Sequence, residues 1–446
     1  MKEYTSEQLR NVALAGHTSV GKTTLAEAIL YALKFTDRLG HVGEGNTISD
    51  YDPEEAKRNL SINASVLPIE YSEFKINLLD LPGYRDFIGE IKGCMRVADA
   101  VILLLDATAG VEVGTEFAWE YAEEYGVPRV FFVNKLDKER ADFEGAMKSI
   151  RDVFGVRALP VVLPVGKEAQ LEGVIDLLKM KMITEEPGGK TKSGPIPEGL
   201  KAEAEAARAE LVEAAAEGDD ELTMKFLDDQ PLNEEEIRRG LKEGMLEGKL
   251  FPVLCGAAIR SLGVESLLNF VVSCLPSPLD RPGMVGKVDR EDKEVERRYD
   301  ASQPFSAFVF KTVSDPYAGR LDFFKIISGS LSSDSVVYNS SKHTEEKISH
   351  LLCVRGKKQE NVHRLVAGDI GAVAKLSVTA TNDTLCDRNN QIEYVPTTLP
   401  PLTYSMAIVA KSKTDEEKVG LAMHRLIEQD CTLSLRRDAE VRQTIL

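Results

Sequence analysis

The chain has 446 residues, 43% of them hydrophobic and 28% charged, with a formal net charge of −17. That length exceeds one ordinary hydrophobic core, so two or three domains are expected, and the balance is that of a globular protein rather than a disordered or membrane one. The acidic excess excludes unspecific attraction to a polyanion such as DNA, because such binding rests on Lys and Arg neutralising phosphates, and any RNA contact must be local.

The N-terminal run MKEYTSEQLRN has neither the basic start nor the apolar core of a signal peptide, and no apolar stretch is long enough to span a bilayer. A cytoplasmic protein without membrane association is expected. The six cysteines include no CxxC pair and the six histidines are dispersed, which argues against a zinc site or a disulfide framework.

In chain order, short apolar runs alternate with amphipathic helical stretches from residue 11 to about 275. This predicts an α/β domain over 1–280, a mostly parallel sheet with helices on both faces. Strands are expected at 12–15, 76–79, 101–105, 130–133 and 253–254, several apolar on consecutive positions, as strands covered on both faces are. Residues 66–71 and 74–79, separated by Ser72 and Glu73, read as a hairpin feeding that sheet. An interruption at about 160–250 contains a Gly/Pro/Lys loop (185–199) and an Ala/Glu-rich run, predicting an inserted α+β subdomain whose long helices carry a solvated face. Pro276, Pro278 and Pro282 and the charged segment after them mark a linker over 281–302. Short alternating strands with Gly turns over 303–398 predict a small β-barrel. The basic stretch 355–364 is a candidate RNA contact, against the plainer reading of a solvated hairpin loop. Residues 399–446 read β, α, β, β, a fragment on which a two-layer domain cannot close, so a truncated third domain is expected.

The strongest local signal is Gly16, His17, Thr18, Ser19, Val20, Gly21, Lys22 and Thr23, with Thr24 following, between the apolar strand NVALA and a helical run. This is the phosphate-loop pattern in its required context. Glycines let backbone N–H groups turn around phosphate oxygens, the helix N-terminus adds positive potential, Lys22 reaches the terminal phosphates and the Thr23 hydroxyl ligates magnesium. Asp80, Leu81, Pro82 and Gly83 follow the strand INLLD, placing an acid near the metal and a flexible glycine amide near the third phosphate. After the strand RVFFV come Asn134, Lys135, Leu136 and Asp137. The Asp137 carboxylate there can accept both hydrogen bonds of guanine's N1–H and 2-amino group, a donor pair adenine lacks, so GTP is favoured over ATP.

Together with CGAAIRSLGVESLLNFVVSCLPSP, the run FSAFVFKTVSDPYAGRLDFFKIISGSL and the phrase AGDIGAV, these elements resemble the elongation factor G family of translational GTPases, from residue 11 to 446. The resemblance implies a GTPase domain with an inserted subdomain, then a translation-factor β-barrel, then the start of a ferredoxin-like third domain. It also implies GTP/GDP and Mg2+ as ligands, hydrolysis of GTP, the ribosome as partner, and a monomer. Carried over residue by residue, Lys22 and Thr23 hold phosphate and magnesium, Asp80 lies in the second shell of the metal, and Asn134, Lys135 and Asp137 read guanine. Ala258, preceded by Gly256 and Ala257, places its N–H near the guanine carbonyl. Ser61 falls where the family's first switch supplies a threonine to the metal.

Three positions depart from the family. Tyr84 follows Gly83 where the family has a histidine that orients the attacking water. With a pKa of about 10, a tyrosine cannot become an imidazolium that donates to developing phosphate charge. Ser19 replaces an aspartate in the phosphate loop, and Ala257 replaces a serine. Two readings follow: a working, ribosome-stimulated GTPase in which Lys22, Gly83 and Tyr84 serve hydrolysis, or a paralog held in its GTP-bound state. His17, which the family shares, is expected to position the loop.

Overall fold

The computed structural model describes residues 2–186, 190–288, 293–315, 319–412, 415–438 and 443–446. The N-terminal region is built on β1 (Leu9–Ala15), α1 (Lys22–Ala32), α2 (Pro53–Arg58), β2 (Ser65–Tyr71), β3 (Phe74–Asp80), α3 (Ile88–Val97), β4 (Ala100–Asp106), α4 (Val113–Glu124), β5 (Arg129–Asn134) and α5 (Phe143–Phe154). There follow β6 (Ala158–Pro160), β7 (Val162–Val165), β8 (Gly173–Asp176), β9 (Lys181–Glu186), β10 (Lys190–Gly194), α6 (Glu198–Ala216), α7 (Asp220–Leu227), α8 (Glu234–Leu246), β11 (Phe251–Cys255) and α9 (Val264–Cys274).

The main sheet has seven strands in the order β2-β3-β1-β4-β5-β11-β6, with only the β2–β3 pair antiparallel. Every residue of β1 is buried, and β4 is buried from Ala100 to Leu105, as strands sandwiched between helices must be. The β2–β3 hairpin is as expected, with Ser72 and Glu73 both at positive φ, the backbone that a two-residue turn between twisted strands requires.

The insertion is an α+β unit. Its antiparallel sheet, ordered β10-β9-β8-β7, is followed by α6, α7 and α8. The expected loop at 185–199 is corrected here: Lys190–Gly194 pairs with Met182–Glu186 as a hairpin, because backbone pairing overrides the weak strand preference of Gly and Lys. On α6, Ala204, Leu211 and Ala214 to Ala216 are buried while most of the glutamates are exposed.

The stretch expected as a linker is also structured. Met284–Val288 and Lys293–Arg297 form a hairpin whose first strand pairs with Glu393–Tyr394. Beyond it, an eight-stranded antiparallel sheet forms the barrel region. Alternation along the strand Ser306–Asp315 decides which side each residue serves: Ala307 and Val309 enter the barrel's own core, Phe308 and Phe310 the core shared with the N-terminal domain.

Buried ion pairs cross that join. Lys75 on β3 donates to Asp369 at 2.7 and 2.9 Å, and Lys325 donates to Asp99 at 2.6 Å. Lys311 donates to Glu90 on α3. Arg355, within the basic stretch considered for RNA, turns inward: it donates to the Pro68 carbonyl at 2.6 Å and lies over the Phe35 ring. The C-terminal segment carries the helix Glu416–Gln429 beside a sheet of three short strands. No described helix is long and apolar enough to cross a membrane.

Candidate nucleotide site

The loop between β1 and α1 closes as its sequence requires. Gly21 sits at φ 99°, and a Cβ there would meet Asn134 Nδ2 at 2.4 Å, so only glycine lets the loop approach the β5 terminus. Lys22 is buried, with Nζ donating to the carbonyls of Gly16 (3.1 Å) and His17 (2.8 Å). Burial pushes its pKa down to about 8, against the pull of Asp80 and Asp50 in the other direction. His17 is tied to the start of α4: its Nδ1 accepts from the Gly114 N–H at 3.1 Å, and Nε2 lies 3.6 Å from Glu112.

Thr23, at the first turn of α1, donates to Asp80 Oδ2 at 2.8 Å, and its hydroxyl lies 3.2 Å from that of Ser61. Three groups expected at the metal from distant sequence positions therefore meet. Two more join them that the sequence reading missed. Ser49 donates to Asp80 Oδ2 at 2.6 Å, and Asp50 is buried beside Ser61 and Asp80. Burial raises the pKa of both Asp50 and Asp80, and for Asp50 the Asp80 charge adds to it. Asp80 Oδ1 and Asp50 Oδ2 are buried with no hydrogen-bond partner among the described residues. An acid just ahead of a capped helix (Asp52, Pro53) carried no signal of this role, because its partners lie 11 and 30 residues on.

Gly83 closes the opposite wall, where a Cβ would meet Lys22 Nζ and Thr18 Cα at 2.7 Å. Tyr84 is 41% exposed and lines the cleft with Thr18, Ser19, Thr24, Leu60 and Ser61. It also borders an adjoining apolar hollow between Leu60, Ile62 and Phe87.

At the other end, Asn134 Nδ2 donates to the Val20 carbonyl at 2.9 Å, and Lys135 Nζ donates to the Ser19 carbonyl and to Asp106, each at 2.6 Å. Burial is the largest influence on Asp106 and raises its pKa, but Lys135 and the Thr108 N–H and hydroxyl together outweigh it, and the net shift is downward. Ser19, at φ 62°, thus offers its carbonyl rather than its side chain to the neighbouring loop. Asp137 Oδ1 is buried without a hydrogen-bond partner among the described residues. The Ala258 N–H donates to Asn134 Oδ1 at 2.9 Å, which ties the Gly256–Ala258 loop to the Asn134 loop. The Ala257 N–H is paired with the Leu262 carbonyl, and the Gly256 carbonyl accepts from Leu136.

A parallel sheet whose first strand feeds a phosphate loop, with Asp80 and the Asn-Lys-Leu-Asp loop on the same sheet edge, is the architecture of a P-loop GTPase domain. Residues 7–277 match the family model for the elongation factor Tu GTP binding domain, 304–388 that for elongation factor G domain 2, and 399–446 that for elongation factor G domain III. The chain is 40% identical over 442 residues to elongation factor G of Thermotoga maritima and, equally, to that of Thermotoga petrophila, covering 99% of this chain and 64% of each relative. A crystal structure of a protein from Thermus thermophilus has a similar fold, with a TM-score of 0.86 at 31% identity, over 98% of this chain and 63% of that one. The chain belongs to the elongation factor G family, and spans about 64% of the length of the curated relatives it matches.

Proposed function

We propose that this chain is the nucleotide-binding and barrel part of a ribosome-associated translational GTPase, which binds GTP with magnesium and hydrolyses it to GDP and phosphate to drive a conformational switch. Residues 1–280 are then the GTP-binding domain, 303–398 the β-barrel and 399–446 the start of a ferredoxin-like domain. The observation that carries the reading is the convergence of Lys22, Thr23, Ser61 and Asp80 in one cleft, with Gly83 and Tyr84 opposite.

The donor set fits magnesium. The Thr23 and Ser61 hydroxyls gather at one end of the cleft with two carboxylate oxygens, Asp80 Oδ1 and Asp50 Oδ2, that have no partner among the described residues, and no described trio of His, Cys, Asp or Glu is placed to hold a metal alone. That suits an ion that keeps several waters and takes few protein ligands beside phosphate oxygens. Thr23 and Ser61 would hold it, Asp80 and Asp50 would accept from its waters, and when bound it neutralises phosphate charge. The chain's own contribution is positioning and electrostatics. Lys22 abandons two carbonyls to reach a terminal phosphate, the Gly83 N–H senses the third phosphate, and Tyr84 screens the cleft mouth. Asp137 accepts the paired donors of guanine, while Asn134 and Lys135 tie the base loop to the phosphate loop.

Tyr84 supports a second reading, a GTP-held ribosome-binding switch with little turnover, because a half-exposed phenol cannot supply the imidazolium of the family's histidine. The test is the rate of GTP hydrolysis with and without ribosomes for the protein, Lys22→Ala and Tyr84→His. Strong stimulation of the unmodified protein, absent in Lys22→Ala, supports the working GTPase; response of Tyr84→His alone supports the held switch. Hydrolysis by Lys22→Ala at the unmodified rate would remove the phosphate-loop assignment.

A further inference from the structure

We infer that Ser49 is a positioning residue for Asp80, through which the loop ahead of α2 sets the magnesium dependence of guanine-nucleotide binding; the inference rests on the reading above. Ser49 is 2% exposed and tied at all three of its polar groups. Its N–H donates to Glu27 Oε1 on α1 at 3.1 Å, its hydroxyl donates to Asp80 Oδ2 at the end of β3 at 2.6 Å, and its carbonyl accepts from the Ser65 hydroxyl at the start of β2 at 2.6 Å. The Ile48 N–H reinforces the first of these, donating to the same Glu27 oxygen at 2.6 Å.

The consequence lies in which oxygen Asp80 presents. A carboxylate on a short side chain turns easily about its last torsion, and its two oxygens are interchangeable unless donors distinguish them. Here both hydroxyl donors, Thr23 and Ser49, are on Oδ2, and Oδ1 is left buried without a partner among the described residues. Thr23 belongs to the rigid phosphate-loop helix, whereas Ser49 belongs to the segment that also carries Asp50 and leads through α2 to Ser61. Ordering that segment and fixing the Asp80 carboxylate are therefore one event. By reciprocity, whatever Asp80 holds through Oδ1 also favours the ordered segment.

The test is a Mg2+ titration of the affinity for a fluorescent non-hydrolysable GTP analogue, in the protein, Ser49→Ala, Ser49→Thr, Asp80→Asn and the double variant Ser49→Ala/Asp80→Asn. Trypsin cleavage after the exposed Lys57 and Arg58 reports order of the segment independently. Loss of a hydrogen bond to a charged acceptor should raise the half-saturating Mg2+ concentration about tenfold in Ser49→Ala. Ser49→Thr should stay within about twofold of the parent, since the hydroxyl is retained. Binding in EDTA should be unchanged, cleavage at low Mg2+ faster in Ser49→Ala, and Ser49→Ala should add nothing in the Asp80→Asn background. An unchanged Mg2+ midpoint in Ser49→Ala overturns the inference. So does an equal loss in the Asp80→Asn background, which would make Ser49 a loop anchor acting without Asp80. Absence of Mg2+-dependent guanine-nucleotide binding by the unmodified protein would instead remove the underlying reading, and this inference with it.

Discussion

Asp137→Asn exchanges one carboxylate oxygen for an amide nitrogen at the end of the loop proposed to read the base. Asp137 follows Asn134 and Lys135, which are anchored to the Val20 and Ser19 carbonyls, so the loop is held while Asp137 Oδ1 is buried without a partner among the described residues. If both oxygens accept from guanine, each charged hydrogen bond contributes roughly 1.5–3 kcal/mol, and the amide can replace at most one of the two acceptors. The loss of one bond plus a donor facing a donor is then about 3–5 kcal/mol, or roughly 100- to 5000-fold in GTP affinity. Xanthine carries a carbonyl where guanine carries the amino group, so XTP should gain by a comparable factor. Competition of GTP, XTP and ATP against a fluorescent GDP analogue measures all three. A variant that keeps the parent's preference for GTP over XTP would refute the base-reading role.

Other consequences are as direct. Lys22→Met should lose at least about 100-fold in nucleotide affinity, since a charged contact to phosphate disappears. Yet its melting temperature without nucleotide should hold or rise, because burial already lowers the Lys22 pKa to about 8; a lower melting temperature would contradict that. Lys75→Met strands the Asp369 carboxylate, which is 6% exposed, and should cost about 3–5 kcal/mol, while Lys75→Met/Asp369→Leu recovers most of it. Calorimetry showing the double variant no more stable than the single would count against the pair as the lock between domains. Asp322 in the barrel has its pKa pushed up to about 6 by burial, from an unfolded value near 3.8, despite Arg320 and Thr312. The folded state therefore holds the extra proton, and this group's contribution to stability falls as pH rises from about 4 to 6. Asp322→Asn should flatten that slope in urea titrations, and an unchanged slope would refute the assignment.

What could be read from the chain alone, and what could not, divides by how far apart the interacting residues lie. The phosphate loop was legible because its chemistry is carried by adjacent residues, from Gly16 to Thr23, and its context by the strand and helix that flank it. The Ser72-Glu73 turn was legible for the same reason. Ser49 and Asp50 were not, because nothing in the residues beside them indicates Asp80, which reaches them only when β3 pairs with β1 and the loop folds back over α1. In the segment read as a linker, Met284–Val288 pairs first with the nearby Lys293–Arg297, and its second edge is covered by Glu393–Tyr394, about a hundred residues on, a partner that no local pattern announces. The ion pairs of the domain join are the extreme case, Lys75 and Asp369 being 294 positions apart.

The same separation bears on function. Lys311 on the barrel donates to Glu90 on α3, and the same Glu90 oxygen accepts from the Ala64 N–H at 2.7 Å, three residues past Ser61. One carboxylate thus joins the exit of the segment carrying Ser61, the helix that follows Gly83 and Tyr84, and the first long strand of the barrel. A segment that loosens at Ser61 pulls on Ala64, and the charge left at Glu90 is already committed to Lys311, which is 4% exposed and has no solvent to turn to. Because buried charges tolerate re-pairing but not separation, a shift at Ala64 that the Glu90 carboxylate follows would have to carry Lys311 with it, so on the proposed reading of the site α3 and the barrel strand are expected to move together.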